Sequence, residues 1–448
     1  MIRSLVACFC GLCLGAQVVQ ESFQRDPGPL DFIHGEGFEQ RILQSLTGDA
    51  LVGLDAQGRV VPRLASTWEI KDQRIHFTLR RDARFPDGST VTAADVLWTF
   101  RTIQQSQDAS PSSRSILEGV ELRGEGSRVE ARSSKPPGRL LLELAVIAIA
   151  QAGHPEIGSG PFLLQRAQGE WQLTAHPHFL HPRLQGLHFR LLPDEQAVLQ
   201  NLQKGWLSIG GPPSRPGLTP PPTHVEVRQP MNAQVIVWSR AGVEPLRHLE
   251  AWRGRAFPPG ALGARVQASR GLWPESLGFP PRAIAGGPRP SPQGRQWEVL
   301  YGAGDDTTQR ILMALRETAR QEGAELELRP VETSLLYQRL LNGDYQLICA
   351  MNVFDPHPWS VLDLLDPAGA ENFSHWRHPR FAEVAARLST PQAPAWKELQ
   401  DLWAQAPTSL PLVDFTSLVW VDRRLKVIPS SLGLYLSTPG AAGWTWAP

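Results

Sequence analysis

Lysine is nearly missing from this 448-residue chain: only five of its 44 basic side chains are Lys and the other 39 are Arg, a bias we read as genomic rather than functional. Net charge is missing too. The 44 basic residues balance 44 acidic ones, so no overall field exists to hold a nucleic acid or an anionic membrane. Cysteine is scarce: Cys8, Cys10 and Cys13 fall at the very start and only Cys349 follows. That placement excludes a disulfide framework for the body of the protein and a cysteine-rich metal cluster. Long apolar runs are lacking beyond the first residues. Leu140 to Ala150 is apolar but short and interrupted by Glu143, well under the ~20 residues of a membrane span. Walker loops, Gly-x-Ser-x-Gly elbows and His-Glu-x-x-His motifs are absent, so the residues give no reason to expect an enzyme, a cofactor or a metal. Glycine (39) and proline (40) are in excess, which calls for many turns and long connections.

The start of the chain carries a pattern of its own. Met1-Ile2-Arg3-Ser4 is a short basic opening, Leu5 to Ala16 is apolar, and Gln17 is polar. This reads as a secretory signal over residues 1–16, with Leu14-Gly15-Ala16 as the cleavage site. Leu5-Val6-Ala7-Cys8 also spells a lipobox, so a lipid anchor at Cys8 competes with simple cleavage, although only three apolar residues precede that cysteine. Either way the expectation is an exported, otherwise soluble protein.

Along the body, alternation at Ile75, Phe77 and Leu79 predicts a half-buried strand, and Thr92-Ala93-Ala94-Asp95 predicts a capped helix with Val96, Leu97, Phe100 and Ile103 on one side. Hairpins are expected at 120–132 and 162–175, a strand through Leu187, Phe189 and Leu191, and a helix over 195–204. Residues 210–222 and 257–294 are broken by proline and glycine. After Gln296 the pattern changes to strand 297–301, helix 306–321, strand 325–329, helix 335–341 and strand 345–350. Strands alternating with helices imply a parallel sheet with right-handed crossovers, in which ligands sit at the carboxyl ends of the strands. Those ends are 302–306 and 351–355.

Residues with chemical potential mostly have plainer readings. Gly302-Ala303-Gly304 is half of a dinucleotide fingerprint, but Thr307 replaces the third glycine and Asp305 and Asp306 would repel a pyrophosphate, so a helix cap is the better reading. His176, His178 and His181, and likewise His375 and His378, read as exposed loop histidines rather than metal ligands. Cys349 lies in an apolar strand and reads as core.

Several segments together resemble the extracellular solute-binding proteins of the peptide/nickel ABC-transporter family (solute-binding protein family 5). They are Leu51-Val52-Gly53-Leu54-Asp55 through Val61-Pro62-Arg63-Leu64-Ala65-Ser66-Thr67-Trp68-Glu69, then Phe77-Thr78-Leu79-Arg80, Phe85-Pro86-Asp87-Gly88 and Val91-Thr92-Ala93-Ala94-Asp95-Val96. Gly158-Ser159-Gly160-Pro161-Phe162 and the stretch from Asn342-Gly343-Asp344-Tyr345 to Leu362-Asp363-Leu364-Leu365 also have counterparts, as do Asn372-Phe373-Ser374 and Leu410-Pro411-Leu412. The resemblance spans about residues 30 to 425 and is patchiest between 240 and 295.

The resemblance implies an α/β, two-lobed periplasmic-binding-protein-like fold with an additional domain inserted in the first lobe. Lobe I would be 17–40 with 158–240 and 412–448, the additional domain 41–157, and lobe II 241–411, with crossovers near Trp238 and Leu410 as the hinge. It implies a substrate-binding component of an ABC transporter that captures a peptide-like or other small solute between the lobes and delivers it to a permease in the inner membrane. The protein would be a periplasmic or extracytoplasmic monomer. Peptide binders of the family clamp the ligand's amino group with an aspartate just before an Asp-Pro. Aligning Pro356-His357-Pro358 puts Phe354 at that place, and a shift of one residue makes Asp355 the clamp. The arginine that holds a dipeptide's carboxylate has no counterpart at Gly302-Ala303-Gly304, which argues against free dipeptides. Expected ligand contacts are therefore Asp355, His357, Trp359, Asn372 and Trp376 from lobe II, and His34 and Glu36 from lobe I. Two alternatives stay open: an exported hydrolase working through Asp355 and His357, and a solute-sensing domain.

Overall fold

The computed structural model describes residues 18–35, 38–56, 58–167, 169–179, 184–192, 194–211, 218–258, 265–285, 289–354, 358–367, 372–388, 393–428 and 440–446. The leader with Cys8, and His181, lie outside these residues.

In the first lobe, strands Val18–Phe23, Gly186–Leu191, Glu170–Ala175 and Phe162–Ala167 lie side by side in that order, the first pair parallel and the others antiparallel. Period-two alternation puts Val19, Phe23, Trp171, Leu173, Leu187 and Phe189 into one core. Phe23 stacks on Phe189 at 4.4 Å and meets Trp171 edge-on at 5.4 Å. Gly186 is required here, because a Cβ would stand 2.2 Å from the Leu173 carbonyl oxygen. Helix Phe38–Thr47 adds Ile42, Leu43 and Leu46 to this core, so the expected boundary at residue 41 falls inside a helix that packs on the first lobe.

The inserted domain is a four-stranded antiparallel sheet in the order Ala65–Lys71, Arg74–Leu79, Arg128–Arg132, Glu121–Glu125. Asp72 and Gln73 turn the first hairpin with positive φ at both positions, as a two-residue turn demands. Helix Ala93–Gln105 carries the expected capping box of Thr92 and Asp95 and buries Val96, Phe100 and Ile103 against Ile75, Phe77 and Leu79. Leu97 is only half-buried. Thr99 takes the inward place instead and bonds the Ala150 backbone N–H at 3.1 Å.

The second lobe has the expected alternation, with parallel strands Gln296–Gly302, Glu325–Val331 and Leu347–Val353. Helix Asp306–Gln321 turns Ile311, Leu312, Leu315 and Ala319 inward, and Asp305 caps it through the Thr308 N–H at 2.9 Å. Cys349 is fully buried, and desolvation pushes its thiol well above the ordinary range. The last of these strands runs three residues past the expected end at Ala350. Tertiary pairing extends it, because Met351, Asn352 and Val353 pair with Val235, Gln234 and Ala233.

Two long antiparallel strands, His224–Ser239 and Ser409–Asp422, join the lobes. Their register breaks between Pro230 and Gln234. Before the break, Val227 packs in the first lobe; after it, Val235, Ile236, Val237 and Trp238 belong to the core of the second. The junction therefore sits several residues before Trp238 and after Leu410, inside the paired strands rather than at their ends.

Candidate functional site

The carboxyl end of strand Leu347–Val353 is where the sheet of the second lobe meets the junction. Strand Gln296–Gly302 accompanies it only as far as the Tyr301–Cys349 pair, then turns away through Gly302 and Asp305 into its helix. From Ala350 to Val353 the strand keeps one partner, the crossing strand, and shows an unpaired edge among the described residues. The side chains there are apolar and open. Met351 is 56 % exposed and Val353 68 %, and Met231, inside the register break, is 42 % exposed. Large apolar groups left open beside an unpaired strand edge can accept an extended chain, whose main chain adds to the sheet while its side chains meet Met351 and Val353.

Behind this edge lies a polar group at the junction. Gln234 is fully buried, and its Nε2 donates to Asp414 Oδ1 at 2.6 Å, while Ser269 Oγ donates to the same oxygen at 3.2 Å. Burial raises the Asp414 carboxyl above its ordinary value, against the lowering effect of those two hydrogen bonds. The Phe354 N–H donates to the Asn232 carbonyl at 2.7 Å, tying the start of the 354–358 segment to the junction.

The expected contacts divide into three groups. Asp355, His357 and Glu36 lie outside the described residues. His34 sits in a half-exposed turn, 3.0 Å from Asp31 Oδ2 and 3.3 Å from Ser106 Oγ at the end of the inserted domain's helix. Trp359, Asn372 and Trp376, expected to wall the pocket, are packing groups of the second lobe in this structure. Trp359 is fully buried and meets Trp396 edge-on at 5.5 Å. The Asn372 side chain is committed to the Trp376 backbone, donating to its carbonyl and accepting from its N–H, both at 2.9 Å. Trp376 Nε1 donates to the Ala406 carbonyl at 3.0 Å. His176, expected to be exposed, is buried under its own turn, and burial together with nearby His178 lowers its pKa.

Sequence reasoning pointed to the strand end at 351–355, which holds Met351 and Val353, without naming their side chains, and missed Met231, Gln234 and Asp414. A signal did exist for Asp414, an acid inside the apolar run Leu410 to Leu418.

Residues 59–220 match the family model of bacterial extracellular solute-binding proteins, family 5, middle. The periplasmic murein peptide-binding protein MppA of Escherichia coli is 33 % identical over 88 residues, which is 19 % of this chain and 16 % of that protein. Aligned segments of this kind span less than a third of the length of the curated relatives. The fold likeness reaches further. A solved structure of the murein tripeptide-binding protein MppA in its unliganded open form superposes with a TM-score of 0.81 at 17 % identity, covering 96 % of this chain and 98 % of that one. NikA from Brucella suis, in complex with Fe(III)-EDTA, gives a TM-score of 0.74 at 16 % identity, covering 96 % and 99 %. Both have the two-lobed fold, and this chain shares it.

Proposed function

We infer that this chain, which belongs to the bacterial extracellular solute-binding proteins of family 5, captures a peptide-like solute between its lobes and presents it to an ABC permease. The observation that carries this reading is the end of strand Leu347–Val353 at the lobe junction, an edge unpaired among the described residues and flanked by exposed Met351 and Val353. A peptide in extended form satisfies such an edge through its main chain, which needs no particular side-chain sequence. The relatives' names fit: one binds a murein peptide, another oligopeptides. Asp355, carried over from the family resemblance, is proposed as the clamp for the peptide's amino group, where a charge-assisted hydrogen bond would be strong in a closed site.

Residues 1–16 support export of the chain, with Cys8 as the place for a lipid anchor if cleavage occurs there. Among the described residues no helix is long and apolar enough to cross a membrane. The hydrolase alternative through Asp355 and His357 gains no support from the comparisons, since the matched family binds solutes.

The test is native mass spectrometry of the protein purified from an exporting host. A ladder of co-purifying peptide masses that is lost in Asp355→Ala is the expected result. A single non-peptide mass, or a ligand indifferent to that substitution, would overturn the peptide reading or the clamp respectively.

A further inference from the structure

The junction holds more hydrogen-bond acceptors than donors. Four strands lie side by side there, and their register sets Gln267 opposite Asp414, Asp414 opposite Gln234, and Gln234 opposite Asn352. Cross-strand partners share a face, so these four polar side chains form one row across the sheet. Asn232 lies two residues before Gln234 on the same strand, inside the register break. Gln234 gives its Nε2 to Asp414, which fixes its amide orientation and leaves Oε1 to accept. Yet Gln234 Oε1 is buried with no partner among the described residues, and so is Asn232 Oδ1, on residues 0 % and 8 % exposed. Beside them is a carboxylate that no basic side chain pairs. Arg253 and Arg270 both feel Asp414 at a distance, but Arg253 spends its Nη1 on the Pro411 carbonyl at 2.6 Å and Arg270 is paired with Glu275, the acid nearby. The ends of the row are open: Gln267 is exposed and Asn352 half-buried.

We propose that Asp414, Gln234 and Asn232 form a seat for a cationic group of the captured solute, an alkylammonium or guanidinium. Such a group supplies the N–H donors that the two amide oxygens lack and the countercharge that Asp414 lacks. Water could satisfy the oxygens, but only a cation or a proton removes the buried charge. The seat would make the receptor prefer solutes that carry a positive charge beyond the terminal amine. It rests on the capture reading above, in that the solute must reach the junction between the lobes.

The experiment uses n-butylammonium chloride and n-butanol as probes, titrated calorimetrically into the full mature chain at constant ionic strength. Trialanine and trilysine are titrated in parallel. Butylammonium is expected to bind and butanol not. Asp414→Asn, which keeps an oxygen for Gln234 and Ser269, should weaken butylammonium by about tenfold or more. Gln267→Glu, at the exposed end of the row where folding is not at stake, should tighten it. Trilysine should bind more tightly than trialanine, and Asp414→Asn should abolish the difference. Equal binding of butylammonium by the wild type and Asp414→Asn overturns the seat, as does an equal response to butanol, which would mean hydrated oxygens and an apolar site only. If butylammonium binds through Asp414 while neither peptide binds, the seat stands and the peptide reading falls. If both peptides bind alike in both proteins, the reverse holds.

Discussion

His248 lies fully buried between Trp252 and Trp297, each ring about 5.5 Å away, and neither of its ring nitrogens has a hydrogen-bond partner. Burial lowers its pKa, with Arg289 and Arg295 adding to the effect and Glu244 and Glu322 opposing it. A folded-state pKa below that of the unfolded chain means that the unfolded chain binds the proton first as pH falls. His248 therefore costs nothing above about pH 6.5, and the fold loses stability as pH drops below it, by at most about 1.4 kcal/mol per pH unit. Melting temperatures recorded from neutral to mildly acid pH should fall more steeply for the wild type than for His248→Phe. Parallel curves would show that some other group governs the acid limb. Trp359 and Trp376 teach a related point at the same scale. A tryptophan reads the same in sequence whether its ring faces a ligand or fills a core, and here the Asn372 bracket around Trp376 decides for the core.

At the scale of the element, the helix Ala93–Gln105 was legible because its start signal is local. The Asp95 carboxylate accepts from the Thr92 N–H at 2.8 Å and the Thr92 hydroxyl at 2.9 Å, which closes the cap. It also accepts from the Ala152 N–H at 3.0 Å, a bond to a segment 57 residues away. The cap could be read from four consecutive letters; the second attachment could not. Asp95→Ala should therefore cost about 2 kcal/mol, and Thr92→Ala about 1 kcal/mol, because only the first leaves donors in two segments unpaired. Equilibrium denaturation of the two variants checks this, and equal losses would mean that the Ala152 bond contributes nothing. The strand ending at Val353 shows the converse. Its last three residues carry no stronger strand signal than the loop that was expected, and their conformation is set by pairing with Ala233 to Val235.

Across the whole molecule, among the described residues, one ion pair links the inserted domain to the second lobe. Arg139 Nη1 and Nη2 donate to the two oxygens of Asp363 at 2.9 and 3.0 Å, and its Nε donates to Glu143 at 2.7 Å. Leu54 and Leu142, from the same side of the inserted domain, pack into the second-lobe core. Asp363 ends the short helix Trp359–Asp363, so the bridge also ties that helix to the inserted domain. In a double-mutant cycle with Arg139→Ala and Asp363→Ala, the coupling should fall between about 0.5 and 3 kcal/mol, and small-angle scattering should show a wider spread of lobe angles in each single variant. Additive losses with unchanged scattering would reduce the bridge to a surface contact. What the sequence alone made legible was everything carried by local periodicity and spacing: the capped helices, the α/β alternation after Gln296 and, through contiguous motifs, the resemblance to a binding-protein family. Those signals survive because each is written within about twenty residues, the reach of a helix or hairpin. The register break at Pro230, the open end of the strand at Met351 and Val353, and the meeting of Gln234 with Asp414 across 180 residues were decided only by tertiary structure. No local pattern encodes which strands become neighbours, and a buried carboxylate gains its character from the partners that folding brings to it.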